Sequence, residues 1–356
     1  MVRLRVNPGP PRKIRQPDSS FGVAAKSGTS IVLTVAAVVV TRNRPALLKR
    51  CLAAIDGQTY PAKYLVVIDN ASDQPTRDLL AAEVARRDRT FHMIRSEENT
   101  GGAGGFHIGM RASLSLPCTH LWLMDDDCEP DRKALEELVA AMSIVGEDAV
   151  LGGNVFDING ECINIQSVAH RTGANGVTQY PLHLADGLIE MGALTFVSFL
   201  VPVKLVWKVG LPLKEFFIWG DDHEYSLRLG SVTRIYQVGK SKVTHLKAGD
   251  GSLSIINEND YNKIWQYRWI YRNRVFIAQR YDGILSMQLT RFVFRSFRDM
   301  FLSVLSGKFV LMKCKAIIYG LCAGVAFSVQ MAGKDFSVIP DEPVVGAREP
   351  ERQNVA

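Results

Sequence analysis

The sequence predicts an α/β fold, with a mostly parallel sheet flanked by helices, followed by a C-terminal helical region. Two observations predict the sheet: strand-like and helix-like patterns alternate in the N-terminal half, and polar or acidic residues follow the predicted strands. A third, a basic and aromatic helical pattern, predicts the C-terminal region. We therefore expect a flexible or capping arm at residues 1–30, an α/β domain at 31–258, a helical region at 259–335 and a frayed tail at 336–356.

The composition is that of an ordinary globular protein. Of 356 residues, 47% are hydrophobic and 22% are charged, which excludes a disordered chain. The formal net charge of +6 favours an anionic partner such as nucleic acid, a phosphorylated substrate or an acidic membrane. The six cysteines form no C-x-x-C pair, so we expect a reducing compartment. Residues 1–30 are polar and basic, so no secretory signal is expected.

Strand and helix patterns alternate in the N-terminal half. A continuous β-branched run at Ile31–Val40 predicts a strand covered on both faces, and Tyr64–Ile68 and Phe91–Ile94 predict further strands. A helix begins near Pro45, which suits a first helical turn, and another is predicted at Thr76–Arg87. Parallel strands connected in this way bind ligands at their carboxyl ends.

The most informative stretch is a short apolar run that ends in three successive carboxylates, at His120–Asp127. Its apolar part predicts a buried strand. Like charges this close together repel, so their ionisation needs a positive partner. A divalent cation that bridges the carboxylates to phosphate oxygens is the simplest candidate. A solvated acidic turn is the alternative.

A glycine-rich stretch, Asn99–Phe106, follows the third predicted strand. Its glycines would let the backbone approach a bulky ligand and turn N–H groups towards phosphate, and a mobile loop is the alternative. It is not a dinucleotide fingerprint, because His107 stands where a third glycine belongs. A P-loop is excluded as well, because Arg234 replaces the leading glycine before Gly239–Ser241.

Aromatic residues lead into a second acidic cluster around Asp221 and Asp222. Aspartate is preferred at helix starts, so capping is one interpretation of either residue. The other interpretation is a general base, because an apolar wall such as Trp219 raises the proton affinity of a nearby carboxylate. His245 follows at the end of a predicted strand. It is a candidate metal or phosphate ligand, with a purely structural histidine as the alternative.

Five motifs of this chain occur in an order that resembles a known family. They are VVVTRNRP at Val38–Pro45, VIDNASD at Val67–Asp73, NTGGAGGF at Asn99–Phe106, MDDD at Met124–Asp127 and WGDDHEY at Trp219–Tyr225. Together they resemble an inverting family 2 glycosyltransferase with the GT-A fold, a Rossmann-like sheet flanked by helices, over roughly residues 33–275. The motif forms are most similar to bacterial galactofuranosyltransferases, with rhamnosyltransferases close behind.

The resemblance implies a role for each matched residue. On the nucleotide side these are Thr41, Arg44 and Asp69 for uracil and ribose, and Asn99, Gly101, Gly102 and Asp126 along the nucleotide and its diphosphate. The implied ligands of Mn²⁺ or Mg²⁺ are Asp125, Asp127 and His245. Asp222 matches the catalytic base, and Asp221, Trp219 and Glu224 lie in the implied acceptor site. Gly220 separates the tryptophan from the acidic pair, so the choice of base between Asp221 and Asp222 stays open.

The implied activity is metal-dependent sugar transfer with inversion. The donor would be UDP-galactofuranose, and the acceptor a hydroxyl of a lipid-linked glycan or polysaccharide in cell-envelope synthesis. Two alternatives are a rhamnosyltransferase that uses a dTDP sugar and a non-catalytic, membrane-associated protein that binds a nucleotide sugar. The intact pair of Asp221 and Asp222 argues against the non-catalytic alternative.

The C-terminal pattern at residues 261–330 combines arginines with aromatic residues. Basic amphipathic helices of this kind suit an anionic membrane surface. Plain packing or homo-oligomerisation is the main alternative, and nucleic acid ranks last, so no nucleic-acid partner is predicted. Residues 316–333 reach the lower length limit of a spanning helix and contain Gly320-x-x-x-Gly324. Lysines closely precede these residues and disfavour a membrane span. We therefore expect a cytoplasmic protein that is peripheral on the inner face of the cell membrane.

Overall fold

The computed structural model describes residues 33–88, 90–164, 166–246, 254–283 and 286–339. The chain forms two compact units. The sheet unit is the described part of Ser19–Phe217, Asp221–Gly251 and Asp335–Ala356, and the helical unit is Ile218–Gly220 with the described part of Ser252–Lys334. The predicted arm at residues 1–30 and nearly all of the predicted tail lie outside the described residues.

The sheet unit confirms the predicted α/β fold class. Its strands are β1 (Val35–Thr41), β2 (Tyr64–Asn70), β3 (Phe91–Ser96), β4 (His120–Asp125), β5 (Cys128–Pro130), β6 (Val150–Phe156), β7 (Leu188–Glu190), β8 (Phe199–Pro202) and β9 (Ile235–His245). Its helices are α1 (Pro45–Asp56), α2 (Gln74–Arg86), α3 (Gly101–Ser113), α4 (Ala134–Val145), α5 (Val203–Val209) and α6 (Asp221–Gly230).

The strands form one mixed sheet in the order β3-β2-β1-β4-β8-β6-β9-β5, and β7 pairs with β9. Strands β3, β2, β1 and β4 are parallel to one another, whereas β8 is antiparallel to β4 and β6. In this register Thr41 pairs with Asp69, and Val40 with Asp125. The polar residues that follow these strands are therefore brought to one edge of the sheet.

The position of strand β1 between two hydrophobic cores explains its uninterrupted apolar sequence. Val35, Ala37 and Val39 belong to one hydrophobic core, while Ala36, Val38 and Val40 belong to a second core. Because alternate residues of a strand point to opposite faces, a strand between two cores has no position for a polar side chain.

The glycine-rich stretch is the first turn of helix α3 rather than a loop. A Cβ atom on Gly109 would lie 2.5 Å from Val38 Cγ1, and one on Gly105 would overlap Val40 Cγ1. Gly101 has a φ of +73° and allows close approach of the Phe217 carbonyl. Gly105, and Gly109 one turn later, therefore allow α3 to pack onto β1, whereas Gly102 would place its Cβ in open space, with nothing within 4 Å.

Two boundaries that the sequence pattern predicts are wrong. The apolar run at Met191–Val201 predicts one strand, but β8 begins only at Phe199. Before β8, the Leu194 N–H donates to the Ser226 hydroxyl (3.1 Å) rather than to a neighbouring strand. Pro130 and Asp131 predict a helix that begins near Asp131, but α4 begins at Ala134, because β5 extends to Pro130 and pairs with β9.

The helical unit contains α7 (Tyr261–Ile264), α8 (Arg268–Ile277), α9 (Met287–Ser306) and α10 (Val310–Gln330). Its core includes Ile255, Tyr267, Tyr271, Ala316 and Ile317. The two glycines of the Gly-x-x-x-Gly motif pack α10 onto α8, because a Cβ on either would lie 2.6 Å from an α8 atom. The helical pattern predicted for this part of the sequence is confirmed.

Candidate active site

The turn after β4 is fixed by residues that follow β1. The Thr41 hydroxyl donates to Asp126 Oδ2 (2.6 Å), and the Arg42 N–H lies 3.3 Å from the same oxygen. Arg44 Nη1 donates to Asp126 Oδ1 (3.2 Å) and Asp127 Oδ2 (2.8 Å). Thr41, Arg44 and Asp126, which were predicted on the nucleotide side, therefore form one hydrogen-bonded group with the acidic motif.

Asp127 is joined to His245 at the end of β9. Its Oδ1 lies 3.0 Å from His245 Nε2, and the Leu246 N–H donates to the Asp127 carbonyl at 2.7 Å. Strand β5 sets this contact, since Cys128 pairs with His245 in the sheet. The other ring nitrogen, Nδ1, lies 3.3 Å from Asn164 Oδ1, a contact that orients the imidazole. The structure thus brings together two of the three predicted metal ligands.

The three carboxylates differ in their electrostatics. Burial, followed by the charges of Asp127 and Asp126, raises the pKa of Asp125 well above its usual range. Burial also raises the pKa of Asp126, although the Thr41 hydroxyl and Arg44 oppose it. The pKa of Asp127 is lowered, because His245 and Arg44 outweigh its burial. Asp125 is therefore the carboxylate with the greatest need of a further positive charge.

Asp221 and Asp222 open helix α6, as predicted. Burial, and then the charge of Asp222, raises the pKa of Asp221 to about 8. Burial raises the pKa of Asp222 to about 6, against the His223 N–H that donates to its Oδ1 at 2.7 Å. The raised pKa values make this pair a stronger base than a free aspartate, so one of its carboxylates can accept a proton near neutral pH. Phe217, just before the pair, has a φ of 62°, and strain of this kind is concentrated at functional sites.

The two acidic clusters interact electrostatically. The charge of Asp221 contributes to the raised pKa of Asp125, although the two residues lie on α6 and at the end of β4. The Ala103 N–H also donates to the Phe217 carbonyl (3.1 Å), which ties the start of α3 to the segment just before α6. The arrangement places a proton acceptor near a group of carboxylates suited to a cation and its anionic ligand.

Both carboxylate oxygens of Asp69, which was predicted on the nucleotide side, are hydrogen-bonded within the protein. One carboxylate oxygen accepts from the Ser72 N–H (2.9 Å), and the other accepts from Arg95 Nη1. Arg95 Nη2 also donates to the Ser72 carbonyl (3.1 Å), so this arginine fixes the loop after β2. Sequence reasoning did not identify Arg95. The register Asp69–Arg95 across two predicted parallel strands was the signal that could have found it.

Asn99 and Asn70 form a second polar group at this edge. Asn99 Oδ1 accepts from the Gly101 N–H (3.0 Å) and lies 3.2 Å from Asn70 Nδ2. Asn70 Oδ1 accepts from the Thr100 N–H (2.9 Å), and its Nδ2 donates to the Gly101 carbonyl (2.9 Å). Asn70, which the sequence analysis did not single out, therefore holds the start of α3 in place.

Two residues implied for the acceptor site are engaged by other residues of the protein. Glu224 is fully buried on α6 and forms an ion pair with Arg228, with Nε 2.8 Å from Oε1. Trp219 belongs to the helical unit, where its carbonyl accepts from Asn273 Nδ2 (2.8 Å) and its ring lies 5.4 Å from that of Tyr267. A contact between Trp219 and an acceptor stays a prediction.

A divalent cation fits the chemistry of the acidic group. Within the described residues, no group of three or more His, Cys, Asp or Glu side chains is arranged to hold a metal ion. Asp127 and His245 nevertheless supply one oxygen and one nitrogen donor 3.0 Å apart. Asp125, whose pKa is raised by neighbouring negative charge, would be stabilised in its ionised form by a cation. Carboxylate and imidazole ligands suit Mn²⁺.

The sequence of the sheet unit is similar to that of known proteins. Residues 36–182 match the model of a family described as Glycosyl transferase family 2. Galactofuranosyltransferase GlfT1 of Mycobacterium tuberculosis is 31% identical over 203 residues, which are 55% of this chain and 64% of that relative. The chain therefore spans slightly less than two thirds of the length of this relative.

Two solved structures have a similar fold. GalNAc-T7, crystallised with UDP, GalNAc and Mn²⁺, has a TM-score of 0.55 at 17% identity and covers 85% of this chain and 57% of its own. S. aureus TarS 1-349 in complex with UDP has a TM-score of 0.50 at 12% identity and covers 83% of this chain and 89% of its own. At these identities the similarity shows the fold alone.

Proposed function

We propose that this chain, of which residues 36–182 match the model of Glycosyl transferase family 2, transfers a sugar from a nucleotide diphosphate to an acceptor hydroxyl and inverts the anomeric centre. The proposal is supported by the electrostatic coupling of the two acidic clusters, in which the charge of Asp221 contributes to the raised pKa of Asp125. Such an arrangement offers a base for the acceptor beside a group that can hold the leaving diphosphate.

Asp222 is the proposed base. Its pKa of about 6 leaves it ionised at neutral pH but still basic enough to accept a proton from the attacking hydroxyl. Attack from the face opposite the diphosphate inverts the anomeric carbon in one displacement. General-base assistance of this kind contributes roughly 10²–10⁴ in rate. Asp221, with a pKa of about 8, is protonated and can donate a hydrogen bond to the acceptor.

The acidic motif is the proposed holder of Mn²⁺ or Mg²⁺, through Asp125, Asp127 and His245. When bound, such a cation supplies Lewis-acid stabilisation of the leaving diphosphate. Thr41 and Arg44 keep the turn of the acidic motif in one conformation through Asp126. Together with Asp69, Asn99, Gly101 and Gly102, they border the proposed nucleotide site.

UDP-galactofuranose is the proposed donor, and a lipid-linked glycan or polysaccharide hydroxyl of the cell envelope is the proposed acceptor. The donor is supported by the name of the mycobacterial relative, and UDP by the two structurally similar proteins that were solved with it. A rhamnosyltransferase that uses a dTDP sugar is the second candidate, because its motifs are close to those of this chain.

A donor panel tests this function. Full-length protein with Mn²⁺ is given UDP-galactofuranose, UDP-galactopyranose or dTDP-rhamnose, and release of the nucleoside diphosphate is measured with and without a membrane extract as acceptor. We expect acceptor-dependent turnover with UDP-galactofuranose and its loss in Asp222→Asn. Turnover with dTDP-rhamnose alone would support the second candidate. UDP binding without turnover of any donor would indicate a non-catalytic binding protein.

The proposed site of action is the cytoplasmic side of the cell membrane, where a lipid-linked acceptor is accessible. Of the described helices, only α10 is long and apolar enough to span a membrane, and 33% of its apolar window is buried within the protein. Length and composition alone do not distinguish a spanning helix from the core helix of a folded protein.

A further inference from the structure

Among the residues that the structure describes, helix α9 has an exposed apolar face. The side chains of Phe294, Phe297 and Phe301 are 70%, 57% and 63% exposed, and Met287, Val304 and Leu305 are exposed as well. Large apolar side chains scattered singly on a surface are ordinary, but a contiguous group marks an interaction site. We call these six side chains the α9 apolar face.

The α9 apolar face lies on a different side of the helix from the residues that pack into the helical unit. At 3.6 residues per turn, the six positions fall within one stripe along the helix. Ser296 and Ser303, on the opposite side, are buried. There the Phe292 ring lies 5.8 Å from the Tyr271 ring. The stability of the unit therefore does not explain why the outer face is aromatic.

Arginines follow one edge of the α9 apolar face. Arg291, Arg295 and Arg298 are exposed, and their spacing of four and three residues places them in a stripe beside the phenylalanines. The single acidic residue of α9, Asp299, is engaged by the Tyr271 hydroxyl (3.0 Å) and by Arg298 (3.0 Å). Among the described residues, neither Arg291 nor Arg295 forms an ion pair. This edge therefore complements a negatively charged surface.

Helix α10 is less suited to be the anchor. Its glycines pack against α8, and Lys313 is fully buried, with its Nζ donating to the Ile256 carbonyl at 2.7 Å. If α10 spanned a bilayer, it would have to leave α8 and expose Lys313, or it would carry the arginines of α8 into the hydrocarbon region. Either outcome is unfavourable.

We propose that the α9 apolar face binds an anionic phospholipid bilayer, with α9 lying in the plane of the interface and α10 remaining packed in the helical unit. Aromatic residues on one face and arginines along its edge are the features of an interfacial helix. A second copy of this chain is the less suitable occupant, because two identical faces would bring together arginine stripes without acidic partners. This membrane proposal rests on the proposed function in one respect only, namely that the acceptor is lipid-linked.

Vesicle sedimentation of the full chain tests this proposal. The probes are vesicles of phosphatidylcholine alone and of phosphatidylcholine with phosphatidylglycerol. We expect binding to the anionic vesicles that weakens with added salt. In the triple variant F294S/F297S/F301S we expect binding to fall at least about 10-fold. In R291Q/R295Q we expect a loss of about fivefold for each arginine, and only with anionic vesicles.

The matched control is L182S/L184S, which changes two exposed leucines of the sheet unit (61% and 58%) and should bind vesicles as the unchanged protein does. Equal binding by F294S/F297S/F301S would overturn the proposal. Conversion of a dimer to a monomer by that variant, without any effect on vesicle binding, would instead assign the face to a second copy. Release of the bound protein by alkaline carbonate is expected, and resistance to it would indicate that α10 spans the membrane.

UDP binding separates this proposal from the proposed function. F294S/F297S/F301S should bind UDP with unchanged affinity, because α9 contributes no residue to the proposed nucleotide site. If no variant affects vesicle binding while UDP-galactofuranose is turned over, only the docking proposal fails. If vesicles are bound but no donor is turned over, only the proposed function fails.

Discussion

Asp127 Oδ1 lies 3.0 Å from His245 Nε2, although 118 positions separate the two residues in the sequence. The pairing of β5 with β9 creates this contact. On one side the acidic motif bonds to Arg44, and on the other side the contact brings it an imidazole nitrogen. A carboxylate and an imidazole in this arrangement can share a cation.

Removal of either partner should weaken binding of Mn²⁺. We expect Asp127→Asn and His245→Gln each to lower the affinity by about 10–100-fold, because each change removes or weakens one ligand of the site. Titration of Mn²⁺ in the presence of UDP, followed by calorimetry, measures the effect. Asp131→Asn, which changes an exposed aspartate four positions further along the chain, is the matched control. Equal affinity in all variants would show that the metal binds elsewhere.

Asp222→Asn should abolish most of the turnover. We expect a decrease in kcat of roughly 10²–10⁴, because an amide cannot accept the proton of the hydroxyl. For the unchanged protein, kcat/KM should rise with pH through about 6 and then level off, because the base must be ionised. The residual activity of Asp222→Asn should lack this rise. A pH profile that the substitution leaves unchanged would assign the base to another residue.

Asp221 should make stability depend on pH. Its pKa is raised from 3.8 to about 8, so the folded state binds the proton more tightly than the unfolded state does. The free energy of unfolding should therefore decrease between about pH 4 and pH 8, with a slope of up to about 1.4 kcal/mol per pH unit. In Asp221→Asn the decrease should be smaller.

Urea denaturation at several pH values, in the presence of EDTA, measures this slope. Asp131→Asn should retain the slope of the unchanged protein, because its side chain is exposed. Identical pH dependence in Asp221→Asn and in the unchanged protein would mean that Asp221 is ionised in the folded state at neutral pH.

Substitution of two glycines at the start of α3 should distinguish an effect on folding from an effect on donor binding. Gly105→Ala should lower the free energy of unfolding by about 1–3 kcal/mol, because its Cβ would overlap Val40. Gly102→Ala should fold normally, because a Cβ there meets nothing within 4 Å. If Gly102 borders the nucleotide, this variant should raise the KM for the donor. Thermal unfolding and donor titration measure the two effects, and an unchanged KM would remove Gly102 from the nucleotide site.

The sheet and the helices of the first half could be predicted because local pattern determines them. Strand β1 lies between two cores and therefore has a continuous apolar sequence. The position of Asp221 and Asp222 at the start of α6 was likewise visible as acidic residues before a helical pattern. Only the resemblance to a family implied that Asp127 and His245 are ligands of the same metal, because no local sequence pattern connects the two residues.

The sequence was less informative where distant residues decide the structure. The glycine-rich stretch suggested a ligand-binding loop, but its small residues also allow α3 to pack on β1, and composition alone does not separate these uses. Glu224 stands beside the acidic pair in the sequence, yet the helical period directs it to Arg228, four residues later. Arg95 was missed because its partner, Asp69, lies on a neighbouring strand.

The most direct test of the central claim is a crystal structure of the full chain with UDP and Mn²⁺. We expect one Mn²⁺ that is bound by Asp125 or Asp127 together with His245 and is in contact with the diphosphate of UDP. Asp222 would face the same cavity. UDP and Mn²⁺ bound at a position remote from the acidic motif, or Asp222 outside the cavity that contains them, would contradict the account.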